Sequence, residues 1–180
     1  MELPFFKYHP EPLRTGSVRP SQDKCKCCGQ IRGYIYIGPV YARQEYLKCI
    51  CPWCIADGSA HKKFNAEFTD SMGIGGFGRW EKVSELIIEE IVSRTPGFAS
   101  WQSENWFTHC GDAAAFLGPV GYKELKEYGV DAIEAIRISS FVPENEWEQY
   151  LKILDKDGSP VAFLFKCLHC GMYGGYVDVD

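Results

Sequence analysis

No run of this chain approaches the roughly 20 apolar residues that a membrane-spanning helix requires. The opening MELPFFKYHPEPL also lacks a basic stretch leading into an apolar one, the pattern that directs secretion. The expectation is a cytoplasmic protein with no membrane partner. An excess of positive charge is missing too. The formal net charge is -5 and unevenly spread: residues 1–80 carry 11 Lys/Arg against 7 Asp/Glu, and residues 81–180 carry 8 against 17. The second half therefore repels nucleic acid and favours a basic partner. Aromatic residues are not scarce; at 14% they supply large units of burial, which excludes a solvated tail.

Nine cysteines in a chain without a secretion signal point to metal rather than to a disulfide framework. Cys25 and Cys28 form one CxxC, Cys51 and Cys54 another, and the apolar run IRGYIYIGPVY lies between them. A CxxC followed by glycine folds into a tight turn whose amides point at two thiolate sulfurs. Two such turns brought face to face give a closed four-sulfur Zn2+ site. Zinc suits soft thiolates and a site without redox chemistry. Near the other end, FKCLHCG places Cys167 and Cys170 at a second turn of this kind, with no CxxC partner. A second zinc site there has to borrow Cys110 and His109, and Asp112, His169, Cys49 and His61 are further candidates for the missing ligand.

Four prolines among the first 20 residues predict an extended arm anchored by Phe5, Phe6 and Tyr8. Residues 31–37 read as a strand, and Pro52 sets a turn within CPWC. Phe64 and Phe68, four apart, predict a short helix. Gly73, Gly75 and Gly78 spell GxGxxG, but no buried strand precedes them as a dinucleotide site requires, so a connector is expected. Trp80, Val83, Ile87 and Ile91 share a helical period ending near Arg94. Trp101, Trp106, Phe107 and Phe116 are expected in the core. Two helices meet at Gly129, Pro143 opens a third bearing Trp147, Tyr150, Leu151 and Leu154, and two strands close the chain. The fold class is α+β: a small zinc-ribbon-like β lobe over residues 1–60, packed on a helical and β-hairpin body over 61–180, as one unit.

The runs LPFFKYHPEPLRTG, RGYIYIGP, CPWCIADGSA, RTPGFASWQ, HCGD and FKCLHCG resemble the colicin E2 tolerance family, the CbrC-like proteins, in order and over nearly the whole chain. The resemblance implies a role in tolerance of, or immunity to, a nuclease colicin or similar toxin. It also implies a cysteine pattern falling on Cys25, Cys28, Cys51, Cys54, Cys110, Cys167 and Cys170. A further cysteine is expected near Ala114, where this chain reads AAAF instead. Three functions follow. The first is tolerance through a basic nuclease toxin domain docking on Glu81, Glu85, Glu89, Glu90, Glu144, Glu146 and Glu148, although Glu is also an ordinary helix former on polar faces. The second is nucleic-acid binding by Lys24, Lys26, Arg32, Arg43 and Lys48, with Tyr34 and Tyr36 stacking on bases. The third is a metal-dependent enzyme with an open position at Cys110, Cys167 and Cys170, and Asp112 or His109 carrying protons. A closed four-cysteine site favours a non-catalytic protein.

Overall fold

The computed structural model describes residues 2–180. Because side chains alternate along extended backbone, the arm buries Phe6 and Tyr8 while Lys7 between them and Phe5 before them point outward; Phe5 is 79% exposed and is no anchor. His9 fastens the arm. Its Nδ1–H donates to the Pro96 carbonyl at 2.6 Å, which leaves Nε2 to accept from the Thr15 hydroxyl at 2.6 Å. Complete burial lowers its pKa to about 4, so the ring is neutral.

Strand β1 (Val18–Pro20) pairs antiparallel with β2 (Tyr34–Tyr36), and the first cysteine turn lies in the excursion between them. The second strand is shorter than the apolar run suggests. Gly33 takes a left-handed φ of 82°, which breaks the extended run, and Ile31 is left exposed. Helices α1 (Pro52–Ala56) and α2 (Ser59–Phe64) follow, and α2 stops at Asn65, also left-handed. Phe68 is therefore outside the helix, though fully buried, with its N–H bonded to the Val92 carbonyl at 2.7 Å. The GxGxxG stretch forms two short 3-10 turns. A Cβ at Gly73 would lie 1.9 Å from the Glu104 carbonyl, so close packing accounts for that glycine.

Helix α3 (Glu85–Arg94) begins later than the periodicity predicts. Trp80 precedes it because its N–H is taken by the Gly75 carbonyl. Next come β3 (Thr108–His109), β4 (Asp112–Ala113) and β5 (Ala115–Val120), then α4 (Tyr122–Tyr128), α5 (Val130–Ser140) and α6 (Glu144–Ile153). The chain closes with β6 (Val161–Lys166) and β7 (Tyr173–Asp178). Strands β3 and β4 form a small hairpin, while β5, β6 and β7 form an antiparallel sheet with β6 in the centre.

The central strand divides the body's core. Val161, Phe163 and Phe165 face an aromatic cluster with Tyr8, Phe98, Trp106 and Phe116. The alternate residues Ala162 and Leu164 face Leu125, Ile136, Trp147 and Leu154 from the helical side. A third core, with Phe6, Val18, Ile35, Tyr36, Ile50 and Ile55, surrounds the cysteines of the N-terminal lobe. The arm thus enters one core through Phe6 and another through Tyr8. Trp101 is not a core residue: it is 61% exposed, and only its backbone N–H is fixed, by Asp178 at 2.6 Å. The architecture is α+β with a cysteine-rich N-terminal cluster. No helix among the described residues is long and apolar enough to cross a membrane.

Candidate metal centres

The KCKCCG segment closes on itself. Cys25 N–H donates to the Gln30 carbonyl at 2.9 Å and Gly29 N–H donates to the Cys25 carbonyl at 2.8 Å, with Gly29 left-handed at φ 72°. Cys51 and Cys54 arrive differently from the expected second turn. Pro52 opens α1, since a fixed φ and a missing N–H cost nothing at the first helical position. Cys51 sits at the helix start and Cys54 one turn on. A turn therefore faces a helix N-terminus, where two turns face to face had been expected.

The four sulfurs of Cys25, Cys28, Cys51 and Cys54 lie within 4.8 Å of one another. Cys25 to Cys54 and Cys28 to Cys51 are each 3.9 Å, and Cys51 to Cys54 is 3.6 Å. Tetrahedral coordination at about 2.3 Å per thiolate puts sulfurs about 3.8 Å apart, whereas a disulfide needs about 2.05 Å. The spacing is that of an ion site. The hydrogen bond from the Cys51 thiol, helped by the amides of Cys28, Cys51 and Cys27, overcomes burial and holds Cys25 down to about 4. Donating that hydrogen bond pushes Cys51 well up, and burial pushes Cys54 up to about 12. Binding of a cation to such a cluster displaces the protons its thiols carry.

His109, Cys110, Cys167 and Cys170 make the second cluster, also within 4.8 Å. The His109 Nδ1 is 3.2 Å from the Cys110 sulfur and 3.4 Å from that of Cys170. One nitrogen and one sulfur on a tetrahedral ion lie about 3.6 Å apart. Neighbours in sequence reach one point because Cys110 and Gly111 both take left-handed backbone, φ 57° and 69°, at the tip of the β3–β4 hairpin. Glu81 holds that tip by accepting from Gly111 N–H at 2.8 Å, so its carboxylate is committed. Burial opposes ionisation of Cys167, but the amides of Cys170 and His169 bring it down to about 6.

The KCLHCG turn reproduces the first one. Cys167 N–H donates to Met172 O at 2.8 Å, Gly171 N–H donates to Cys167 O at 3.1 Å, and Gly171 is left-handed at φ 76°. Lys166 Cε lies 3.7 Å from where a Gly171 Cβ would be, as Lys24 Cε does at Gly29. The repeated KCxxCG carries this match in the sequence, as the expected second turn of the same kind.

The other ligand candidates have different partners. Asp112 accepts from Lys7 Nζ at 2.9 Å, Tyr8 hydroxyl at 2.7 Å and His169 Nε2 at 3.0 Å. Burial alone would raise its pKa, and these donors bring it down to about 2. It pins the arm to the second cysteine turn. The Cys49 thiol donates to Tyr46 O, and His61 Nδ1 donates to Ala66 O. Ala114 is buried and bonded through its backbone to Phe107, outside the cluster. Tyr36 is fully buried with its hydroxyl on Pro39 O, so it offers no face to a base.

Two cysteine-rich clusters on an α+β scaffold, each with four ligands at tetrahedral spacing, define a protein able to hold two metal ions. The chain belongs to the family described as "Uncharacterised protein family (UPF0167)", whose pattern matches residues 3–179. It is 46% identical to UPF0167 protein Mb2317 of Mycobacterium bovis over 183 residues, covering 98% of this chain and 94% of the relative. It is 41% identical to UPF0167 protein PA1536 of Pseudomonas aeruginosa over 180 residues, covering 99% and 97%. No solved structure matches the chain.

Proposed function

We propose that this is a cytoplasmic, non-catalytic zinc protein in which two bound ions fix the shape of a protein-binding surface. The observation behind it is that each cluster already supplies four protein ligands, which leaves no coordination position for a substrate. His109 fills the place that an enzyme would keep for water. Nine free thiols suit a reducing compartment. Reduced, purified protein is expected to carry about two zinc ions per chain by mass-spectrometric metal analysis. Iron or no metal in place of zinc would overturn the reading.

The surface is assigned to tolerance of a nuclease toxin, a reading supported by the motif resemblance and by the acidic second half. Glu85 and Glu89 on α3 and Glu144, Glu146 and Glu148 on α6 are exposed and make no ion pair among the described residues. Glu81 and Glu90 contribute less, being engaged with Gly111 N–H and Arg94. A basic nuclease domain of a colicin is expected to bind more weakly as salt rises, since charge complementarity is screened. Absence of binding at low salt by calorimetry would remove this assignment and leave the zinc reading standing.

A further inference from the structure

The two clusters differ in one respect that matters chemically. In the first, Cys25, Cys51 and Cys54 are 1%, 0% and 2% exposed and belong to a packed core, and Cys28 alone is exposed. In the second, Cys110 and Cys170 are both exposed, and only Cys167 is buried. The exposed pair sits on two separate hairpin tips: Cys110 between β3 and β4, Cys170 between β6 and β7. Their sulfurs are within 4.8 Å of one another, on either side of His109 Nδ1.

We propose that Cys110 and Cys170 are a site of oxidation by hydroperoxides, which cross-links the two hairpins and releases the ion of the second centre while the first stays loaded. Thiolate nucleophilicity and access decide which cysteines react, and only the second cluster brings two exposed cysteines to one site: Cys28 of the first is exposed, but the three cysteines around it are buried. The Cys170 thiolate attacks the peroxide, an S–O bond forms as the O–O bond breaks, and the departing oxygen takes a proton from water to leave as an alcohol, or as water. The Cys110 thiolate then displaces hydroxide from the Cys170 sulfenic acid, forming the S–S bond, and that hydroxide takes a second proton. Two thiolates lose two electrons and the peroxide gains them. His109 and Cys167 remain as two ligands of the original four, too few for a tetrahedral site. Closing a sulfur gap of this size to about 2.05 Å is within reach of two exposed side chains on separate hairpin tips once no ion separates them. The released hairpins stay joined, so oxidation exchanges one clasp for another.

This rests on the two-zinc reading, and the experiment separates the two. Reduced full-length protein is assayed for zinc and then treated with hydrogen peroxide. Release is followed with a chromophoric chelator, free thiols are counted, and cross-links are mapped by peptide mass spectrometry. About one zinc of two is expected to leave with the loss of two thiols. A Cys110–Cys170 cross-link should appear, and dithiothreitol plus zinc should restore the start. The Cys27→Ala/Cys49→Ala double variant, altered only outside both clusters, should release zinc equally. Two zinc ions at the start with none released, both released together, or a cross-link between other cysteines would overturn the inference alone. Fewer than two at the start would overturn the two-zinc reading and this inference with it.

Discussion

Cys51→Ser is expected to leave the N-terminal lobe unfolded and to lower the melting temperature by more than about 10 °C. The lobe's apolar core is built around these cysteines and has little regular structure to support it. Its sheet is two strands of three residues each, and a two-stranded hairpin is marginal at best in water. A structural zinc site contributes on the order of 10–16 kcal/mol to folding, and for a domain of this size each kcal/mol moves the melting temperature by about 2–4 °C. Cys51 is completely buried. Its sulfur meets those of Cys28 and Cys54, and its own N–H donates to the Cys25 sulfur at 3.3 Å. Hydrogen exchange checks the location of the damage: the amides of Tyr36 and Cys54 should lose protection while those of β6 keep theirs. A variant with wild-type melting and a full complement of zinc would show that the cluster is incidental to the lobe.

Phe165→Ala should cost about 3–5 kcal/mol, or roughly 10 °C in melting temperature, without changing the metal content. The ring is fully buried, with Phe116, Trp106 and Phe98 at centroid distances of 5.1, 5.8 and 5.9 Å. Collapse into the vacated space is hindered, because Phe165 is paired on both sides within the central strand, to Phe116 and to Gly174. Thermal melts at equal zinc loading read the effect, with Trp101→Ala as the exposed comparison, expected within about 0.5 kcal/mol of wild type. A Phe165 variant as stable as that comparison would mean the aromatic cluster is loosely packed.

Residue chemistry that acts locally was legible in the sequence. Both cysteine turns, the break at Gly129 between α4 and α5, and the start of α6 after Pro143 each depend on a few adjacent residues. Long-range placement was not legible. Which of Phe5, Phe6 and Tyr8 turns inward depends on where β5 lies, since Phe116 N–H bonds the Tyr8 carbonyl. The periodicity of Trp80 and Val83 runs into α3 although the chain there is held by Gly75 and is not helical. Trp101 looked like core by composition, yet its loop is fixed through the backbone. His109 could be named from the sequence as a ligand of the second centre, but the left-handed backbone at Cys110 that lets both neighbours reach it could not, since residues with a β-carbon adopt it rarely. Equally hidden was the use of Glu81 in holding that loop.

The twin KCxxCG loops have a consequence for metal capture at the proposed sites. Each loop closes through its own backbone bonds, from the first cysteine's N–H to the residue after the glycine and from the glycine's N–H back to that first cysteine. Half of every coordination sphere is thus prepaid in conformational entropy before any cation is met. What capture has left to organise is the opposite half, a short helix in one case and a hairpin tip in the other, and those segments set how readily each site gives its ion up.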